Sequence, residues 1–109
     1  MSYEVIATGP FERKIKRLSK KYKSLKTDLA PVITLLIQNP FQGTPLGKDC
    51  YKIRVAIASK GKGKSGGARL ITYIRITSKT VYLIDIYDKS EKDTISDKEL
   101  QLLIDLLAP

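Results

Sequence analysis

The stretch from Ser59 to Leu70, SKGKGKSGGARL, concentrates residue types that can hold a phosphate. Its twelve positions contain three lysines, four glycines and one arginine. Cationic side chains and the backbone N–H groups exposed by glycine bind anions in nucleotide P-loops and on nucleic-acid-binding surfaces. The same composition is also typical of a solvated connection between two strands. Nucleotide binding, nucleic-acid binding and an inert connection are therefore the alternatives.

Nucleotide binding is the least favoured of these alternatives. The P-loop pattern G-x-x-x-x-G-K-[ST] needs a glycine five positions before Gly63, where this chain has Ala58. It also needs a helix that begins at the lysine and serine, so that N–H groups point at the phosphate. Here Ser65 is followed by Gly66 and Gly67 and then by a β-prone segment. We therefore expect no nucleotide or other small-molecule ligand.

The flanking residues favour an anion-binding surface over an inert connection. Lys52 and Arg54 alternate on one face of the strand that precedes the stretch, and Arg69 begins the strand that follows it. If these strands pair, the three cations converge on one patch with the lysines of the stretch, Lys60, Lys62 and Lys64. Each phosphate contact there would release counterions, so binding would weaken steeply as salt rises.

The charge balance of the whole chain also points to a polyanionic partner. The 20 basic and 11 acidic residues give a net charge of +9 and a pI near 9.7. Residues 1–84 hold 17 basic and 4 acidic residues, whereas residues 85–109 hold 3 and 7. A basic body with an acidic tail predicts one strongly positive face, which suits a nucleic acid or an acidic protein.

Several residue types are absent or rare, and this limits the chemistry. The chain has no histidine, the usual proton shuttle near neutral pH and the commonest transition-metal ligand, so we expect no metal site and no cofactor. Its single cysteine, Cys50, cannot form an internal disulfide and favours a reducing, cytoplasmic location. We find no signal-peptide pattern and no apolar run of membrane-spanning length, and expect no membrane partner.

Hydrophobic spacing predicts the N-terminal elements. Residues 3–7 are predicted to form a short strand. Apolar residues then recur at steps of three and four, the spacing of one helix face; they are Phe11, Ile15, Leu18, Tyr22 and Leu25. A second helix is expected from an N-cap at Ser24 to the stop at Asn39 and Pro40. Pro31 lies inside it and predicts either a kink or a start one turn later.

The C-terminal half is predicted to be mainly β. Residues 41–49 are expected to form a loop, and strands are expected over residues 50–58, 68–77 and 80–88. The last of these is almost continuously apolar, as a strand buried on both faces should be. Ser96 and Glu99 form a capping-box pattern that opens a leucine-rich helix over residues 97–108.

The resulting order is β-α-α-β-β-β-α, which predicts an α+β fold. In this fold an antiparallel sheet packs against an N-terminal helical hairpin and a C-terminal helix, and we expect the helices to gather on one side of the sheet. The 109 residues are enough to bury one core, so a single domain spanning residues 1–109 is predicted.

Three segments also make the chain resemble a known family. They are CYKIRVA at residues 50–56, SKGKGKSGGARLITY at 59–73 and VYLIDIYDKSEKDTIS at 81–96, and a leucine-rich helix follows them. Together with the element order, they resemble the RelE/ParE superfamily of toxins from bacterial type II toxin–antitoxin modules, within its RelE/HigB-like branch. The resemblance covers almost the whole chain.

This resemblance implies a RelE-like fold and the activity of a ribosome-dependent mRNA interferase. Such an endoribonuclease binds at the ribosomal A site beside 16S rRNA, cuts the mRNA codon there and inhibits translation. The implied chemistry is attack by the RNA's own 2′-hydroxyl, which leaves a 2′,3′-cyclic phosphate and a 5′-hydroxyl without a metal or cofactor. A tight complex with a cognate antitoxin protein is implied as well.

The family's site residues carry over by position. Lys52 and Arg54 match strand cations with a base or charge-stabilising role, and Arg69 matches the arginine that clamps the scissile phosphate. Lys89 matches a basic residue near the leaving group. The lysines of the glycine-rich stretch would hold the RNA backbone at the rim of the site; they are Lys60, Lys62 and Lys64.

One position departs from the family pattern. The tyrosine that the best-studied RelE places in its C-terminal segment falls near Ile95 here, so its base or stacking role is vacant. Tyr87 can supply a stacking platform from another direction, and a carboxylate such as Glu91 is the alternative catalytic group.

Two other functions remain open at this point. A ParE-like protein of the same fold would inhibit DNA gyrase and cut no RNA, and a degenerate member would only bind. The combination of Arg69 with Lys52 and Arg54 favours RNA cleavage, because in-line transfer needs cations to stabilise the negative charge of the phosphorane.

Overall fold

A computed structural model of the protein describes residues 2–61, 63 and 66–107. Within them the regular elements are β1 (Glu4–Ala7), α1 (Gly9–Lys21), α2 (Leu25–Gln38), β2 (Thr44–Gly47), β3 (Cys50–Val55), β4 (Ala68–Arg75), β5 (Thr80–Asp88) and α3 (Asp97–Asp105). Short 3-10 turns at Ala58–Lys60 and Ile76–Ser78 follow β3 and β4. None of the helices in the described part of the chain combines the length and the apolar composition that a membrane span requires.

The strands form one sheet in the order β1-β5-β4-β3-β2. All neighbouring strands are antiparallel except β1 and β5, which are parallel. The predicted α+β class is confirmed, with a helical hairpin and a C-terminal helix packed on a largely antiparallel sheet. The parallel pair was not anticipated, because nothing local in a four-residue strand indicates which distant strand it will join.

The segment predicted as a loop at residues 41–49 contains the short strand β2. Pro45 and Gly47 hide the strand signal, but proline is tolerated there because β2 lies at the edge of the sheet. Lys48 and Asp49 have φ angles of 56° and 62°, and they form the two-residue turn that leads into β3.

The helical hairpin largely follows the prediction. Pro10 lies in the first turn of α1, and Ser24 directly precedes α2. Of the two alternatives for Pro31, the later start is wrong, because α2 runs through Pro31 without interruption from Leu25. The hydroxyl of Ser24 does not cap α2; it donates to the carboxylate of Asp28 at 2.8 Å.

Two cores lie on the two faces of the sheet. The larger lies under the helical hairpin, and its buried members include Phe11, Leu18, Leu25, Leu29, Leu36, Ile53, Leu70 and Ile86. The smaller lies under α3, and its buried members are Cys50, Ile71, Ile84, Tyr87, Ile95 and Leu100. The expectation that the helices gather on one side is therefore wrong. Successive residues of β4 and β5 point to opposite faces and are apolar on both, so each face needs its own cover.

The start of α3 is as predicted. The Glu99 N–H donates to Ser96 Oγ at 3.1 Å, and the Ser96 N–H donates to Glu99 Oε1 at 3.3 Å, which completes the capping box. Leu100 is the buried residue of α3, at 1% exposure, whereas Leu102 is 58% exposed. The helix ends at Asp105, and residue 108, where the prediction ended, lies outside the described residues.

Leu100→Ala should destabilise the protein by about 2–5 kcal/mol, because it leaves a cavity in the smaller core. Urea unfolding followed by circular dichroism measures the change in the free energy of unfolding. Leu102→Ala on the same helix is the matched control and should stay within about 0.5 kcal/mol of the parent protein. Equal effects of the two substitutions would contradict the assignment of Leu100 to this core.

Candidate nucleic-acid interface

Three of the predicted site residues lie in one row across the central strands. In the sheet register Arg54 of β3 is directly opposite Arg69 of β4, and Arg69 is directly opposite Tyr87 of β5. Directly opposed residues have Cβ atoms about 4.5–5.5 Å apart. The row lies on the same face as the smaller core, because Ile71 is two residues from Arg69 along β4.

Arg69 is the most constrained cation of this row. Its exposed fraction is 3%, and its Nη1 donates to the carbonyl oxygen of Ala68 at 3.2 Å. Burial, followed by the neighbouring charge of Arg54, lowers the pKa of the Arg69 guanidinium, and Tyr87 opposes this in part. An arginine nevertheless keeps its charge in a protein. The row therefore holds two like charges side by side, one of them buried, an arrangement that a bound anion would relieve.

Tyr87 presents a buried phenol beside this guanidinium. The residue is 4% exposed, and within the described part of the chain its hydroxyl is buried and has no hydrogen-bond partner. Burial raises the pKa of Tyr87, while the charge of Arg69 partly offsets the effect. The phenol is therefore held in its neutral form and can donate a hydrogen bond to an incoming oxygen.

Lys52 extends the row along β3. It is two residues from Arg54 on the same face of the strand, and a groove of about 450 Å³ lined by Gln42, Gly43 and Thr44 runs beside both cations. Gly43 shapes this groove, because its φ of 91° and the 2.3 Å that would separate an added Cβ from the Lys52 carbonyl oxygen exclude other residues.

The lysines of the glycine-rich stretch do not all join this row. Lys60 is on the opposite face of the sheet, where its Nζ lies 2.6 Å from Asp88 Oδ1 and its side chain is only 11% exposed. A contact between Lys60 and RNA would have to compete with that ion pair. Lys62 and Lys64 lie outside the described residues.

The turn after β5 carries further charged groups, which point in different directions. The Lys89 N–H donates to the Gly67 carbonyl at 3.0 Å, and its ammonium group pairs with the exposed carboxylate of Asp93. Glu91 lies 3.6 Å from Arg17 of α1 and therefore faces the helical hairpin. Ile95, at the position of the missing tyrosine, is buried in the smaller core.

Sequence reasoning missed Lys92. Its Nζ lies 5.4 Å from the centroid of the Tyr87 ring and also pairs with Glu99. The hydrogen bond from Lys92 lowers the pKa of Glu99, so this carboxylate stays ionised and cannot serve as an acid. The segment DKSEK contains two lysines three positions apart, which was the available signal.

The arrangement can bind and polarise a phosphodiester. It offers two guanidinium groups, an ammonium group and a neutral phenol on one sheet face, and these can stabilise negative charge on a phosphorane. Across residues 2–61, 63 and 66–107, no group of three or more Cys, Asp or Glu residues is placed to hold a metal ion.

Comparison with known proteins identifies a family and a shared fold. A family model described as the RelE toxin of the RelE/RelB toxin–antitoxin system matches residues 11–107. The free-state structure of a double mutant of the E. coli toxin RelE is similar, with a TM-score of 0.62 and 16% identity, over 99% of this chain and 100% of that one. The isolated E. coli RelE toxin has a TM-score of 0.57 and 16% identity, over 96% of this chain and 99% of that one. At this identity, the two structures support the fold alone.

Arg54→Gln should stabilise the free protein by about 0.2–1 kcal/mol, because it removes a like charge directly opposite Arg69. The gain should shrink as salt is added, since the charge of Arg54 is exposed and screened. Urea unfolding at low and high salt measures both effects. Lys16→Gln on the exposed side of α1 is the control for net charge, and an equal gain there would contradict the repulsion between Arg54 and Arg69.

Proposed function

The chain belongs to the RelE toxin family of toxin–antitoxin systems, and from this membership we propose that it is a ribosome-dependent mRNA interferase. Family membership implies a cognate antitoxin as its partner. The observation that carries the proposed activity is the buried guanidinium of Arg69, 3% exposed, between Arg54 and Tyr87 in a single row. A preorganised cation that is shielded from water stabilises transition-state charge more strongly than an exposed one, and this favours cleavage over diffuse electrostatic binding.

The proposed reaction is an in-line transfer within the RNA. The 2′-oxygen forms a bond to phosphorus as its proton leaves, and the bond from phosphorus to the 5′-oxygen breaks as that oxygen gains a proton. The products are a 2′,3′-cyclic phosphate and a 5′-hydroxyl. No external nucleophile, metal or cofactor enters this balance, which suits a histidine-free site built from cations.

The row divides these tasks among its residues. Arg69 and Arg54 hold the non-bridging oxygens and stabilise the added negative charge of the phosphorane. Lys52 acts on the 2′-hydroxyl, either as the base that accepts its proton or as a cation that stabilises the developing charge. Tyr87, held neutral, donates a hydrogen bond, whereas its buried ring, which lies under Lys92, is not open to stacking on a base. Lys89 protonates or stabilises the leaving 5′-oxygen.

The wider charge of the molecule supports a ribosomal location for this chemistry. The exposed cations of α1 include Arg13, Lys16, Arg17 and Lys20, and they can contact the phosphates of 16S rRNA while the row contacts mRNA. An acidic antitoxin would bind the same surfaces through complementary charge.

Arg69→Ala should lower the rate of mRNA cleavage by about 100-fold or more, the cost of losing a preorganised charge at the transition state. Arg69→Lys should recover only part of the rate, because an ammonium group cannot bind phosphate in a bidentate manner. Primer extension on a message translated by purified ribosomes measures cleavage at codons. Arg75→Ala, at the other end of β4, is the control and should cut normally; a fully active Arg69→Ala would refute the assignment.

The gyrase-inhibitor alternative gives the opposite result in cells. Induction of the wild-type chain should stop translation and leave translated messages cut, without a DNA-damage response. A ParE-like activity would induce DNA-damage signalling and leave transcripts whole. The family match does not favour that alternative.

A further inference from the structure

The last residue of β5, Asp88, is a buried carboxylate that the proposed reaction does not use. It is 1% exposed and lies on the face covered by the helical hairpin, opposite to that of its neighbour Tyr87. Its Oδ2 accepts a hydrogen bond from the Tyr22 hydroxyl at 2.5 Å, and its Oδ1 lies 2.6 Å from Lys60 Nζ. Lys21 Nζ is 3.9 Å from Oδ2.

Asp88 also organises the turn that carries Lys89 and Lys92. The N–H and hydroxyl of Ser90 both donate to Asp88 Oδ1, at 2.9 and 2.8 Å. The backbone carbonyl of Asp88 accepts from the N–H groups of Glu91 and Lys92, at 3.0 and 3.1 Å. One residue thus determines how the chain leaves β5 beside the functional row.

The ion pair between Asp88 and Lys60 holds the start of the glycine-rich stretch against the end of β5. From the other side, the Ala58 N–H donates to Asp28 Oδ2 at 2.9 Å, and the Ser59 N–H donates to Ser24 Oγ at 2.8 Å. The 3-10 turn Ala58–Lys60 is therefore held between α2 and the end of β5.

The end of the stretch is fastened beside the same strand end. The Gly67 carbonyl accepts from the Lys89 N–H at 3.0 Å. A Cβ added at Gly67 would lie 2.0 Å from the Val55 carbonyl oxygen, so the backbone passes too close for any side chain. Two residues later the chain reaches Arg69.

We propose that Asp88 is a positioning residue. It holds Lys60 and Tyr22 on one side of the sheet and the 89–92 turn beyond the strand, so that Arg69, Tyr87 and Lys89 keep a single arrangement on the other side. The effect of Asp88 on catalysis depends on the proposed RNA cleavage, whereas its contacts with these segments are a property of the free protein. Burial would raise the pKa of the Asp88 carboxyl, yet the hydrogen bonds from Lys60, Tyr22 and Ser90 outweigh it and keep the group ionised.

Hydrogen exchange tests directly whether Asp88 keeps these two segments in place. Asp88→Asn should accelerate the exchange of amides at residues 58–61 and 89–92 by about 10-fold or more, while amides in the middle of β4 stay protected. Asp105→Asn removes one exposed carboxylate from α3 and is the matched control for charge. If exchange at those amides in Asp88→Asn equals that of the control, Asp88 does not hold these segments and the proposal fails.

Single-turnover cleavage on programmed ribosomes tests the consequence. At saturating protein, Asp88→Asn should cut about 10-fold or more slowly while the half-saturating protein concentration is unchanged, because displaced groups lower the rate rather than the binding. An unchanged rate at saturation overturns the proposal.

The double variant Lys60→Met/Asp88→Asn separates positioning from simple stability. Replacing a buried ion pair by neutral groups can preserve the free energy of unfolding. The double variant should therefore regain the unfolding midpoint of the parent and stay slow in cleavage. Recovery of both would mean that Asp88 only neutralises Lys60, which overturns the proposal. If the parent protein leaves all messages intact, the proposed function is refuted, and the exchange experiment alone decides whether Asp88 holds these segments.

Discussion

The register of β3, β4 and β5 is the constraint on which the site and both cores depend. It sets Arg54, Arg69 and Tyr87 side by side on one face and sends Ile53, Leu70 and Ile86 to the other. A slip of one residue would turn the cations toward the helical hairpin and these three apolar side chains toward α3. The close approach of Gly67 to the Val55 carbonyl pins the end of this register where β4 begins.

The same register places two like charges side by side, which costs the free protein some stability. Two guanidinium groups stand opposite each other, one of them almost fully buried, beside a buried phenol that lacks a hydrogen-bond partner within the described chain. The apolar cores on the two faces of the sheet offset this cost. The proposed function and the stability of the free protein therefore oppose each other at this place, as is common where a site is preorganised for catalysis.

Two neighbouring residues of β5 serve the two faces of the sheet. Tyr87 faces the row of cations, and Asp88 faces the helical hairpin with Tyr22 and Lys60. Because neighbouring strand residues point to opposite faces, the backbone between Tyr87 and Asp88 connects the ion pair on one face to the side chains on the other. The acidic C-terminal part of the chain therefore supplies support for a basic surface as well as overall charge balance.

Much of the fold and part of the site could be read from local pattern. The apolar spacing of Phe11, Leu18 and Leu25 predicted the hairpin, and the continuous apolar run of β5 predicted burial on both sides. Alternation placed Lys52 and Arg54 on one face, and the position of Arg69 at the start of the next strand added it to them. Tyr87 was considered because the family's tyrosine position is vacant in this chain. The catalytic roles of all four residues stay predictions. The strand β2 was missed because Pro45 and Gly47 carry the signal of a loop and only its edge position permits pairing.

What the sequence determined by itself is therefore what depends on near neighbours: helix faces, strand alternation, the capping box at Ser96 and the sign of the surface charge. The tertiary structure alone decided that helices cover both faces and that Lys60 turns away from the cation row to meet Asp88, 28 positions along the chain. It also decided that Lys92 lies over Tyr87. The physical reason is that a lysine pairs with the carboxylate or aromatic ring that the fold brings close to it. The local sequence around the lysine does not indicate which distant residue that will be.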